Sequence, residues 1–228
     1  MNTKSNFAVY LVRGILLMLG LYILAQGLAF TVLGNLGTDS ITSPALVANI
    51  VAQNNGYEFW TLGRTLICTH ITLVLLQIIL LRRNYKPIQL LQVVMGLLLG
   101  NMLDLAISYT LLLPAPSYIG ALGYTVLGCF LCAFGIFTFV KADMIPLSAE
   151  GLCLALSRTF KWDFSWVKVG VDCAMLALAV CASLLLLGEV QGVREGSVIC
   201  ACCTGLIIGQ LFKHFPYWDK LLAALAKK

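Results

Sequence analysis

The sequence predicts an all-α polytopic membrane protein, with six transmembrane helices arranged as two inverted three-helix repeats. Each repeat carries a break and a short helix after its first span. Three observations predict this. The 228 residues are 60% hydrophobic and only 11% charged, with a mean hydropathy of +0.93, and a soluble domain needs far more polar surface. The apolar runs are long enough to span. One pattern also occurs twice: GLAFTVLGNLGTDSITSPALVANI at residues 27–50 and GIFTFVKADMIPLSAEGLCLALS at residues 135–157. In each, an apolar run breaks at small, polar and acidic residues, then restarts as a short apolar helix behind a Ser or Thr.

An offset of 105 lays Ser148 on Ser43 and Trp162-Asp163-Phe164 on Tyr57-Glu58-Phe59. At an offset of 109, Gly205-Leu206-Ile207-Ile208-Gly209-Gln210 lies on Gly96-Leu97-Leu98-Leu99-Gly100-Asn101. Two halves interrupted at the same place are the sequence pointer to a membrane binding site at a repeat interface.

In chain order, helix 1 is expected over roughly residues 14–33. It reads as a span rather than a cleaved signal, because MNTKSNFAVYLVRG has no evident small-residue cleavage site. Residues 34–42 form the first break, where Ser43 and Pro44 read as the N-cap and first residue of a short helix. A turn at Asn54-Asn55-Gly56 leads to helix 2 (residues 59–81), closed by Arg82-Arg83-Asn84, and then helix 3 (residues 88–113). Past Pro114-Ala115-Pro116 come helix 4 (residues 118–140), the second break, a short helix (residues 148–160), helix 5 (residues 164–187) and helix 6 (residues 197–212). The repeats therefore occupy residues 1–113 and 114–213. Residues 214–228, with Trp218 and the final Lys227-Lys228, read as an amphipathic tail at the membrane surface.

The positive-inside rule orients these spans. With the amino terminus inside, thirteen of the fifteen Lys and Arg residues fall on the cytoplasmic side, and only Arg64 and Arg194 fall outside. Both termini are then cytoplasmic, and three spans per half invert the second half. The net charge of +5 follows from topology and does not call for nucleic acid. If both breaks dip inward, their helix N-termini approach the midplane from opposite sides, with N–H groups ready for a carboxylate or phosphate.

Asp39, Thr42 and Ser43 in the first break are either capping residues of a loop or the polar rim of a solute site. Asp143, Ser148 and Glu150 hold the corresponding place in the second break. Glu150 stands in the first turn of its helix, where the dipole favours a carboxylate, yet residues 144–156 are otherwise largely apolar and an acid there is costly unless hydrated or paired. Lys168 and Asp172 stand at i, i+4. Asp172 is about 12 Å into helix 5 at 1.5 Å per residue. They are either a structural pair with a snorkelling Lys or a coupling and gating pair. Arg64, near the counterpart position of Lys168, is expected at the outer surface with Asp39 or Glu58. Asn101 is a further solute-ligand candidate. Its flanking Gly96 and Gly100, with Gly205 and Gly209, suggest that helices 3 and 6 cross through small residues. His70 reads as a buried neutral histidine without an identifiable partner.

Of the nine cysteines, most lie inside apolar runs, where Cys acts as a small hydrophobe. Cys129-Phe130-Leu131-Cys132 has metal-like spacing, but no second pair or histidine lies near it in sequence. The chain has no Gly-rich phosphate loop, no HExxH and no cofactor fingerprint. Neither metal, cofactor nor enzymatic activity is expected.

The pattern resembles the YczE/YyaS/YitT group of small bacterial integral membrane proteins. The resemblance rests on Arg13 ahead of helix 1, Asn35-Leu36-Gly37-Thr38-Asp39-Ser40, Ile145-Pro146-Leu147-Ser148-Ala149-Glu150-Gly151-Leu152, Lys168 with Asp172, and Val193-Arg194-Glu195-Gly196-Ser197-Val198-Ile199 followed by Gly205. It implies a bacterial cytoplasmic (inner) membrane location. The expected function is transport of a small polar solute, anionic or zwitterionic, held between the breaks by a monomer or homodimer in the bilayer. The alternative is a non-transporting assembly or regulatory factor that partners another protein.

Overall fold

Residues 3–114 and 117–214 are described in a computed structural model of the chain, and every regular element in them is helical. The elements are α1 (Thr3–Gly34), α2 (Thr42–Asn54), α3 (Leu62–Leu81), α4 (Leu91–Thr110), α5 (Tyr118–Lys141), α6 (Ser148–Phe160), α7 (Phe164–Leu187) and α8 (Glu195–His214). Among the described residues six helices are long and apolar enough to cross a membrane; α2 and α6 are not. In hydrocarbon every backbone polar group must pair within the segment, so uninterrupted apolar runs become helices. Polar side chains set several of the ends. Thr61 accepts from the Arg64 N–H at the start of α3, Asp163 accepts from Ser165 N–H at the start of α7, and left-handed Gly188 closes α7.

The α6 and α7 bounds are those the sequence indicates. Elsewhere the ends move: α1 starts well before residue 14, α3 starts three residues later than expected, and a 3₁₀ turn at Pro87–Leu90 precedes α4. Ala115, Pro116 and the tail with Trp218 lie outside the described residues. The first short helix begins at Thr42, so Ser43 is not its cap. Asp39 does that work, its Oδ1 accepting from Thr42 N–H at 3.2 Å and its carbonyl from Ser43 N–H at 3.0 Å.

The most extensive helix crossing is between α1 and α5, which run antiparallel. Gly20, Gly27 and Gly34, spaced by seven, face Gly135, Gly128 and Ala121. A Cβ on Gly27 would stand 2.5 Å from Cys132 N and 2.8 Å from the Gly128 carbonyl oxygen. A Cβ on Gly135 would stand 2.5 Å from Leu24 N. Backbone meets backbone along the whole seam. The expected crossing of α4 with α8 through their glycines does not form. Gly96 and Gly100 pack on His70, Gly63 and Ile67 of α3, whereas Gly205 and Gly209 have no neighbouring atom within 4 Å. A small-residue pattern signals a close approach without naming the helix that makes it.

The helix contacts come in matching pairs. Helix α1 packs on α4 as α5 does on α8, α2 on α3 as α6 on α7, and α3 on α6 as α7 on α2. Among the described residues the broad α3–α4 face has no comparable α7–α8 face.

Both short helices begin beside the middle stretches of neighbouring spans. Ser148, the first residue of α6, holds its Oγ 2.5 Å from Nδ1 of His70 and accepts at its carbonyl from Gln77 Nε2 at 2.9 Å. His70 and Gln77 stand about 12 and 22 Å along α3 from Leu62 at 1.5 Å per residue, in a slab about 30 Å thick. From the other side, Ser40 Oγ donates to Asp172 Oδ1 at 2.7 Å, eight residues into α7. The first break turns back among the spans through Gly37 at φ +100°, a conformation that suits glycine, with its neighbour's Leu36 carbonyl accepting from Gly196 N–H. Helix α2 then runs toward the start of α3 and α6 toward its end.

The seam predicts an asymmetry between glycines. Gly27→Leu is expected to abolish the monodisperse folded protein, because the clash is with backbone. Gly170→Ala, where a Cβ meets nothing within 4 Å, should shift the melting temperature little. Size-exclusion profiles and thermal unfolding in detergent read both.

Candidate functional site

The two breaks meet at one small buried cavity of about 70 Å³. Asp39 and Thr42 line it from the first break, Glu150 from the first turn of α6, His70 from α3 and Lys168 from α7, among apolar side chains such as Leu24, Leu66 and Leu99. Lys168 Nζ donates to Asp172 Oδ1 at 2.8 Å, and the same oxygen accepts from Ser40. Lys168 thus pairs with Asp172, while Asp39 and Glu150 line the same cavity as that ammonium, where a buried ion costs several kcal/mol. Glu150 Oε2 and His70 Nε2 are buried with no hydrogen-bond partner among the described residues.

Each acid has its own local reason to be there. Asp39 caps α2, and Glu150 sits where the α6 dipole favours negative charge. The helix N-termini that could have received an external anion already face the protein's own carboxylates. Burial pushes the Asp39 carboxyl above its ordinary range, against Thr42 and the Lys168 ammonium, which pull it down. Burial likewise raises Glu150, with Lys168 again opposing.

Around this centre runs a chain of hydrogen bonds. Gln77 Nε2 donates to Gln92 Oε1 and to the Ser148 carbonyl, and Ser148 Oγ meets His70. The partner of His70 lies 78 residues away, a separation with no sequence spacing to mark it. The sequence signal of Gln77 and Gln92 is only that each is an amide in an apolar run.

The remaining sequence candidates lie elsewhere. Ser43 is buried but donates to the Asp39 and Thr38 carbonyls, which makes it part of the turn. Ser148 touches the cavity only through His70. Asn101 is exposed on α4 and donates to the Leu97 carbonyl one turn back, away from the cavity. Asp143 is exposed, 3.7 Å from Arg13, a pair worth about 0–1 kcal/mol at most. Arg64 pairs with neither Asp39 nor Glu58: its guanidinium bonds the Phe59 carbonyl and lies over the Phe59 ring, 4.2 Å from the centroid. The nearby acid, Asp104, instead accepts from Thr61 Oγ1 and Gly63 N–H. Cys129 and Cys200 bring their sulfurs 2.7 Å apart between α5 and α8, and among the described residues no three of His, Cys, Asp and Glu are placed to hold a metal ion.

The model of a family of unknown function (DUF6198) matches residues 11–213, and the chain belongs to that family. No curated protein and no solved structure matches it.

Two outcomes follow from the cluster. Lys168→Met is expected to cost about 2–3 kcal/mol, below the 3–5 of a fully buried pair because the Lys168 and Asp172 side chains keep 33% and 24% exposure. Adding Asp172→Asn should recover part of that loss, as a double-mutant cycle will read. For pH, a raised folded-state pKa means that the folded protein keeps a proton the unfolded chain has lost. Stability therefore falls as pH rises from the ordinary values, 3.8 for Asp39 and 4.5 for Glu150, through the raised ones. Melting temperature should rise on acidification through that window, and Glu150→Gln should flatten the profile; an unchanged profile in the variant refutes the assignment to Glu150.

Proposed function

We propose that this member of the family is a membrane transporter of a small polar solute, anionic or zwitterionic, with the Asp39–Glu150–Lys168 cavity between the helix breaks as its central site. The observation that carries the reading is that two short helices, running toward opposite ends of α3, bring their acids to one cavity. Capping accounts for each acid singly but not for bringing the two together. At about 70 Å³ the cavity has room for about two waters at roughly 30 Å³ each, so it represents a closed state, and solute passes when the breaks part. Two raised carboxyls beside one ammonium suit a site that exchanges protons with each opening, which would couple solute movement to the proton gradient.

The matching contact pairs support the inverted three-plus-three repeat, in which broken helices face each other across the midplane. On this reading the amino-terminal side is cytoplasmic and the membrane is the bacterial inner membrane. The basic-residue count supports the first, and the YczE/YyaS/YitT resemblance supports the second. A homodimer remains part of the proposal, as does kinship with that group. One observation favours the second reading, a factor that partners another membrane protein: the spans of α7 and α8 are only 11% and 18% buried.

The deciding experiment joins binding to flux. Purified protein is screened by thermal shift against carboxylate, phosphate and amino-acid metabolites, and hits are tested for uptake into proteoliposomes with and without a pH gradient. A ligand at 100 times its Kd should stabilise by about 2.7 kcal/mol. Transport predicts gradient-driven uptake that Glu150→Gln abolishes. Binding without flux in any orientation or gradient would overturn transport and favour the partner reading.

A further inference from the structure

A second cavity, far larger, lies between α3, α4, α6 and the second break, on the side where α1 begins. Its volume is about 650 Å³, within the range of small-molecule sites. Its lining is divided. Leu80, Ile145 and Leu154 supply apolar walls, while Lys86 and Arg158 contribute exposed cationic side chains. None of the described residues that line it is an acid. Its floor is polar and buried. Gln92 lines the cavity at 1% exposure and is hydrogen-bonded to Gln77, which is fully buried and leaves Oε1 without a partner. Gly151 forms the adjoining wall, and a Cβ there would stand 2.6–2.8 Å from the amide atoms of both glutamines. The glycine keeps the wall from displacing the amides.

We infer that this vestibule is a binding site for a small amphiphilic anion, a carboxylate or phosphate on an aliphatic body. The head group pairs with Arg158 and Lys86, and the body lies along the apolar walls above the Gln92 amide. Arg and Lys are the side chains suited to carboxylate and phosphate, Arg through a bidentate fork and Lys as a point charge. The floor is also the partition to the central site, since Gln92, Gln77, Ser148 and His70 form one hydrogen-bonded row from vestibule to inner cavity. The inference names the solute class for the transport reading and rests on it for the consequence of binding, but binding itself can be read without transport.

The test uses the full chain in a neutral maltoside detergent with octyl phosphate as the probe, octyl glucoside as the neutral control, and melting temperature as the readout. Octyl phosphate is expected to raise the melting temperature saturably, octyl glucoside not. The Lys86→Gln/Arg158→Gln double variant should weaken the apparent affinity at least tenfold while keeping the unliganded melting temperature. Asp39→Asn should bind the probe as the wild type does; should it also lose uptake, the site stands and the central site is shown to act separately. Vesicles of phosphatidylcholine with or without phosphatidylglycerol tell the two sources apart. If phosphatidylglycerol removes the octyl phosphate effect in the wild type, the occupant is a membrane lipid head group; if the effect persists, it is a free anion. An equal shift from octyl glucoside, or an undiminished octyl phosphate effect in the double variant, overturns the site whatever the fate of the transport reading.

Discussion

The structure depends first on the α1–α5 seam. Without a hydrophobic force between helices in lipid, close packing has to come from shape, and glycine lets two backbones touch. Gly20, Gly27 and Gly34 on one helix and Gly128 and Gly135 on the other supply that contact over two heptads. The seam matters to the site because each of these helices ends at a break. Helix α1 delivers residues 35–41 and α5 delivers residues 142–147, so fixing the two helices against each other fixes the launching points of both re-entrant segments. A shift of the seam would move Asp39 and Glu150 relative to each other, and the cavity they share would not survive.

The cavity then poses an electrostatic problem that the fold solves only in part. Asp172 has Lys168 and Ser40; Asp39 has the backbone of its own helix; Glu150 has a helix dipole and the distant pull of Lys168. One carboxylate oxygen and one imidazole nitrogen are left over. A core selected only for stability would replace these groups with leucine, as the rest of the wall does, since apolar replacements of buried ionic clusters are often neutral or stabilising. What the leftover atoms have in common is that a proton, a water or a polar solute group would complete them.

Much of this was legible in the sequence where the cause is local. The span lengths follow from composition. The α7 bounds follow from Asp163 and Gly188, which cap and close it within a turn, and Lys168 with Asp172 follows from helical spacing alone. The breaks were legible because polar residues interrupt long apolar runs. Long-range choices were not. His70 reaches Ser148 across 78 residues, and Gln77 reaches Ser148 across 71. The glycine seam has a period of seven, one contact every two turns, and leaves little short-range signature, while the four-residue glycine pairs of α4 and α8 suggest a crossing that does not form among the described residues. Asn101 and Arg64 show the converse: a polar residue in an apolar helix can satisfy itself on its own backbone or on a neighbouring ring.

The two halves differ in how firmly their third helix is held, and that difference bears on the site. Helix α3 is locked to α4 by the Gly63–Gly100 backbone contact and by Asp104, which bonds both Gly63 and Thr61. Helix α7 packs on α2 and α6 but lacks the matching face with α8, and 11% of its span is buried against 33% for α3. The elements it does touch are the two short helices. It also carries Lys168, the one Lys or Arg among the described residues that lines the cavity with the acids of both breaks. Any rearrangement that moves a break must therefore pull on α7, the span with the least packing to resist it. Displacing α7 removes the ammonium from Asp39 and Glu150 together, which raises their hold on protons. The loosest helix and the shared charge are the same element, so a change in packing here is also a change in protonation.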